Sequence, residues 1–362
     1  MKKFKIYFAL IVVLLWIFAA FKVYVILQEH KQNNAEEYFE QNTEKYIAKE
    51  NSPVQIFFNQ FLEEIYGDYY YILNVKVKEY TPEEKNPEDK NCKFYFVSLE
   101  KQLKFDSVYR IPFVSGMKQA VDDLKGNKTA ARIYNKKTNE LKQYIGKKQI
   151  ENNVFKVIFK DIDDFETADV EITTYRTDCS AVALKPPSSA VMIKEGYKYI
   201  KSYVSANLSG IAYNNIAAIR YADKYTSNPL SKEINTGIWN KNFKSYENDC
   251  ANFVSQCILA GGLAKSSVWY PDSLIWIRTG SPKTNNSGVT SYMQKNNFFY
   301  ATSFCGISAG GFICLVKESH TVFVVSNDSI TILFNGHTND RKRVSFPHLS
   351  ISDAIYLSPN NY

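Results

Sequence analysis

Histidine is scarce in this chain, at 4 of 362 residues, and none of the 6 cysteines stands in a CxxC pair. Without that spacing, neither a zinc ribbon nor a thioredoxin-type redox site is expected. The formal charge of +7 is spread along the chain rather than gathered in one block, so no basic groove for nucleic acid is expected either. Internal repeats and low-complexity tracts are lacking, which argues against a solenoid. What remains is a globular composition, 45% hydrophobic and 22% charged, in a chain long enough for two domains with cores of their own.

One long apolar run does stand out. From Ile6 to Leu27 it is interrupted only by Lys22, and Lys2, Lys3 and Lys5 precede it. About 20 apolar residues suffice to cross a bilayer as a helix, and lysines at the start keep the amino end in the cytoplasm. No small-x-small cleavage site closes the run. Residues 1–30 are therefore read as an uncleaved signal-anchor of a single-pass membrane protein whose folded domains are extracytoplasmic. That location permits disulfides without requiring them, and Cys92 with Cys179 is one pairing it allows.

Residues 31–180 read as an extracytoplasmic α+β domain. After a polar stalk, PVQIFFNQFLEEIYG at 53–67 has apolar residues at helical spacing, and YYYILNVKVKEY and KFYFVSLEKQLKF have strand character. A polar helical region near 117–148 follows, then the β-branched and aromatic runs NVFKVIFKDI and ADVEITTY. This domain shows no glycine-rich loop and no histidine beyond His30, so it is read as a spacer or a binding module. Pro186 and Pro187 break regular structure inside 181–210, a linker with a bridging helix. Residues 211–362 form the second domain.

Its centre is the stretch ENDCANFVSQCILAGG. With Asn248 or Asp249 as N-cap, Cys250, Val254, Cys257 and Gly261 fall on one helical stripe, and Gly261-Gly262 ends the helix. Cys250 then lies in the first turn, where unpaired N–H groups and the helix dipole favour a thiolate. Cys257, two turns on, is a small core residue. A thiol nucleophile needs a histidine from elsewhere in the fold. His30 lies at the membrane edge and His348 beside Pro347, which leaves His320 and His337 flanking an apparent hairpin. A turn at Asn327-Asp328 would set His320 opposite Asn335, and one at Asp328-Ser329 would set it opposite His337. A three-residue turn would put Gly336 there. Trp269, Tyr270 and Trp276 either line a substrate cleft or pack as core, with Asp249 and Asn252 as further candidate substrate contacts at the helix mouth.

Taken together, YNNIAAIRYADKY, NDCANFVSQCILAGG, the strand opened by His320 and the HTNDR run at 337–341 resemble the Putative amidase domain family over about residues 211–355. That family is similar to the papain-like, cysteine/histidine-dependent amidohydrolases and peptidases of bacterial cell walls. The resemblance implies an α+β papain-like core, Cys250 as nucleophile, His320 as general base and a third polar residue, His337 or Asn335, with His337 favoured. It implies a hydrolase acting on amide or peptide bonds of peptidoglycan, and no metal or cofactor. One departure is Gly311 in AGGFICLV, where the family usually has an acid. It motivates the alternative of a catalytically inactive, amidase-like scaffold protein at the cell surface.

Overall fold

A computed structural model of the chain describes residues 52–81, 91–161, 164–173, 178–206, 210–227, 238–281, 287–338 and 340–361. The apolar amino-terminal run and His30 lie outside them. Among the described residues, no helix is long and apolar enough to cross a membrane. The architecture is α+β, built on two antiparallel sheets.

The first helix, α1 (Pro53–Tyr66), starts where the hydroxyl of Ser52 accepts the Gln55 N–H and a proline occupies the first turn. Its apolar stripe buries Phe58, Leu62 and Ile65. The stripe lies on a five-stranded sheet of β1 (Tyr70–Tyr80), β2 (Cys92–Leu103), β3 (Lys148–Ile158), β4 (Asp169–Thr173) and β5 (Asp178–Ser180), in that order. Phe58 meets Tyr95 and Phe155 with ring centroids 5.5 and 5.4 Å apart. Between β2 and β3 run α2 (Pro112–Asp123) and α3 (Lys128–Lys142), and α4 (Ser189–Ser205) packs on α2. Gly116 and Gly196 allow that contact. A Cβ on either would fall about 2 Å from a carbonyl of the facing helix, Ile193 or Phe113. The pairing of Cys92 with Cys179 is not compatible with this sheet, because β3 and β4 lie between their strands. Three inter-strand steps of about 4.8 Å exceed the roughly 7 Å limit between bridged Cα atoms.

The second half holds α5 (Asn215–Lys224), α6 (Cys250–Ala260), α7 (Leu274–Ile277) and α8 (Val289–Lys295). They are followed by β6 (Phe299–Thr302), β7 (Phe312–Leu315), β8 (His320–Asn327), β9 (Ile332–Gly336), β10 (Arg341–Phe346) and β11 (Ala354–Pro359). The strand order is β10-β9-β8-β7-β11-β6. Every residue of β7, β8 and β9 is buried. Alternation explains this, since Phe323 and Val325 face the core under α6 while Val322 and Val324 face a core shared with the first half of the chain.

The β8–β9 connection departs from the expected tight turn. Phe323 lies opposite Asn335 and Asn327 opposite Ile332, with a register shift between Val324 and Ser326. Residues 328–331 make the connection, shaped by Asp328 Oδ1, which accepts the N–H groups of Ile330 and Thr331 at 3.0 and 2.9 Å. His320 therefore faces neither Asn335, Gly336 nor His337 across a short hairpin. Its strand partner is Leu315 on β7.

The shared core is crossed by a buried polar network. Lys101 Nζ donates to Glu151 Oε2 at 2.5 Å, with both side chains fully buried, and lies 3.9 Å from the ring centroid of Tyr66. Glu151 Oε1 accepts from Tyr66 at 2.7 Å and Asn153 at 2.6 Å. Asp328 Oδ2 accepts from Tyr70 and Gln149, each at 2.7 Å. Asn153 Oδ1 accepts the Ser345 N–H of β10 at 3.1 Å. Burial, with Glu151 and Asp328 nearby, pushes the Tyr66 and Tyr70 phenols well above their ordinary range. The two hydroxyls stay protonated as donors.

Candidate active site

The helix α6 begins at Cys250 with Asp249 in the N-cap position, but the Asp249 carboxylate makes no cap hydrogen bond. It is turned away. Oδ1 accepts from the Tyr246 N–H at 3.0 Å and from Asn252 at 2.8 Å, and Oδ2 is hydrogen-bonded to His337 Nδ1 at 2.7 Å. The first-turn N–H groups thus keep their positive end for another anion.

At that end sits Cys250, 6% exposed, with His320 2% exposed beside it. Burial on its own raises the thiol. The charge and hydrogen bond of His320, joined by hydrogen bonds from Thr321, outweigh it and bring the thiol down to about 6. The thiol is free. Cys257, Cys305 and Cys314 are also free but behave oppositely, because burial pushes all three up, Cys314 to about 11. The sulfur of Cys250 also lies 4.0 Å from Thr279 Oγ1. The chemistry available is attack by a thiolate on an electrophilic carbon, with an imidazole in place to move the proton.

The expected third residue is not brought to His320. The amide of Asn335 donates to Asp223 at 3.0 Å, and its oxygen accepts the Arg343 N–H at 2.7 Å. His337 spends both ring nitrogens, since Nε2 donates to the Tyr225 carbonyl at 2.7 Å while Nδ1 faces Asp249. Its ring is sandwiched by Trp239 and Phe253, with centroids 4.1 and 3.9 Å away. Among the described residues, the buried Nδ1 of His320 has no hydrogen-bond partner.

The remaining motif residues form a frame. Thr338 Oγ1 accepts the Asp249 N–H at 2.9 Å, and Asp340 accepts from Ser227 and from the Trp239 indole. Asn252 donates to the Lys244 carbonyl and accepts the Trp276 indole at 2.7 Å. Ser255 accepts the Trp269 indole at 3.3 Å, and Gln256 accepts from Tyr221 at 2.6 Å. Trp269 and Trp276 are fully buried and Asp249 and Asn252 nearly so. They hold α6 in place. Tyr270 is 48% exposed. Thr279 and Trp239 belong to the site or its frame and carry no sequence signal, since each arrives from a separate segment, whereas Thr321 directly follows His320 on β8.

Gly311 has a packing reason. A Cβ there would fall 2.4 Å from the Leu357 carbonyl, so the tight seam between β7 and β11 leaves no room for an acid.

His337 bonds Asp249, the residue before Cys250, and a loss of stability follows when that bond is weakened. His337→Gln keeps one donor for Asp249 and gives up the other bond and the ring stack. It is expected to cost about 1–2 kcal/mol of folding stability. Urea unfolding of the wild type and the variant checks this.

Residues 212–356 match the family model described as "Putative amidase domain". The match supports an amidohydrolase domain over that span and leaves the preceding residues unassigned. The chain is also 37% identical over 70 residues to "Uncharacterized protein YjcM" of Bacillus subtilis (strain 168), a stretch covering 19% of this chain and 15% of that protein. No solved structure matches the chain.

Proposed function

We propose that this protein is a cysteine amidohydrolase of papain-like mechanism, acting on amide or peptide bonds of bacterial peptidoglycan from an anchor in the membrane. One observation carries the reading: a thiol at a helix start, brought down to about 6 by an adjacent imidazole while the other buried thiols are pushed up. The Cys250 thiolate attacks the amide carbonyl, and its bond to carbon forms as the carbonyl electrons move to oxygen. First-turn N–H groups of α6, where Cys250 sits, serve as donors to that oxyanion. Imidazolium His320 then protonates the leaving amine as the C–N bond breaks, which leaves a thioester. Water, deprotonated by the neutral imidazole, hydrolyses the thioester and restores the thiol. The amidase match supports an amide substrate, the resemblance to cell-wall amidohydrolases motivates peptidoglycan, and the apolar run at 6–27 with its leading lysines motivates the anchor.

The test is digestion of purified peptidoglycan by the full chain in detergent, with mass spectrometry of released fragments. Wild-type protein is expected to release fragments carrying new amine and carboxyl ends, and Cys250→Ala none. Equal release by both would sink the cysteine mechanism. Release by neither, with cleavage of simple peptide amides intact, would redirect the substrate alone.

A further inference from the structure

Thr279 touches Cys250 and the residue that precedes His320. Its hydroxyl donates to the Ser319 carbonyl at 2.8 Å, and the same oxygen lies 4.0 Å from the Cys250 sulfur. Ser319 immediately precedes His320 and has a φ of +50°, a left-handed conformation that a residue with a side chain holds only with outside support. The bond from Thr279 is such support, applied one residue before the imidazole.

Thr279 is itself held. Its carbonyl accepts the Thr290 N–H at 3.0 Å, and the Arg278 carbonyl accepts the Val289 N–H at 2.8 Å. Two residues on, the Ser281 hydroxyl donates to the Val316 carbonyl at 3.1 Å. Val316 and Ser319 bracket the β7–β8 turn, so residues 279–281 form a strap across it. The strap needs its glycine, because Gly280 has a φ of +71° and a Cβ there would meet the Gly288 nitrogen at 2.5 Å.

We propose that Thr279 is a positioning residue that sets the approach of His320 to Cys250 by fixing the Ser319 peptide, an inference that rests on reading Cys250 as the nucleophile. The hydroxyl hydrogen is committed to Ser319, so the oxygen offers the sulfur only lone pairs. Those accept from the thiol S–H and do not stabilise the thiolate. The contribution of Thr279 to reactivity therefore runs through where it puts His320. Among the described residues, Cys314 is a further titratable group near the thiol and stays protonated because burial pushes it up, and Asp249 directly precedes Cys250 with its carboxylate turned to His337.

The experiment measures the pH dependence of Cys250 alkylation by iodoacetamide in the full chain, by peptide mass spectrometry, alongside kcat and KM for peptide-amide hydrolysis. Wild type is expected to inflect near the thiol value of about 6. Thr279→Val keeps the shape and loses the donor, and should shift the inflection up by about one pH unit or more, with kcat falling and KM nearly unchanged. Thr279→Ser keeps the donor and should follow wild type. A Thr279→Val profile superimposable on wild type overturns the inference, and so does a Thr279→Ser profile shifted as far as that of valine. If the valine protein does not fold, Thr279→Ala takes its place under the same criteria. A different result sinks the nucleophile reading itself: a wild-type profile that His320→Ala leaves unmoved.

Discussion

Replacing either Cys250 or His320 with alanine is expected to lower amide hydrolysis by about 10^3-fold or more, and replacing both should cost little beyond either one. Non-additivity follows because sulfur and imidazole act as one unit. Without the nucleophile the base has nothing to activate, and without the base the leaving amine departs unprotonated. His320→Ala carries a second expectation with a definite sign. In the wild type, burial raises the thiol, and His320 with Thr321 brings it down to about 6. The thiolate is then present above about pH 6 and is lost as pH falls through that value. Removing the imidazole leaves burial as the larger influence, so the alkaline limb of Cys250 alkylation should move above the ordinary thiol range of about 8.5. Alkylation of His320→Ala that still inflects near pH 6 would sink the reading of Cys250 and His320 as a reacting pair.

The helix that begins at Cys250 was readable because its signals are local. Asp249 precedes the apolar stripe, Gly261-Gly262 follows it, and α6 runs Cys250–Ala260 between them. Among 4 histidines, elimination left His320 and His337, and the family resemblance is what singled out His320. What the sequence hid depends on tertiary choices. A cap aspartate ordinarily bonds its own helix, yet Asp249 bonds His337, 88 residues away. Hairpin register depends on turn length, and Asp328 builds a longer connection by accepting two of its own loop N–H groups. Trp269 and Trp276 read equally as cleft or core until Ser255 and Asn252 are seen to hold their indoles. One clue was legible and points to the junction of the two halves. Lys101 continues the buried row Tyr95, Val97 and Leu99 on β2, and Glu151 lies opposite Leu99 on β3. Charged residues in an apolar row imply a buried pair.

That pair supplies the other large effect. Glu151→Ala is expected to destabilise the protein by about 3–5 kcal/mol, because it leaves the Lys101 ammonium buried without its carboxylate. The loss extends beyond one ion pair, since Tyr66 and Asn153 also donate to Glu151, and Asn153 in turn accepts the Ser345 N–H of β10. Tyr70 and Gln149 bind Asp328 in the loop that ends β8, the strand opened by His320. The residues matched by the amidase family therefore share their core, and part of their polar scaffold, with residues that precede the match. Urea unfolding should show a lower midpoint for Glu151→Ala with a single transition for both halves. Lys101→Met combined with Glu151→Leu removes both charges and should recover part of the loss, since a buried pair can often be replaced by apolar groups of similar volume. A loss below about 1 kcal/mol for Glu151→Ala, within the range of ordinary surface ion pairs, would mean that water reaches Lys101 and that the junction is looser than a shared core.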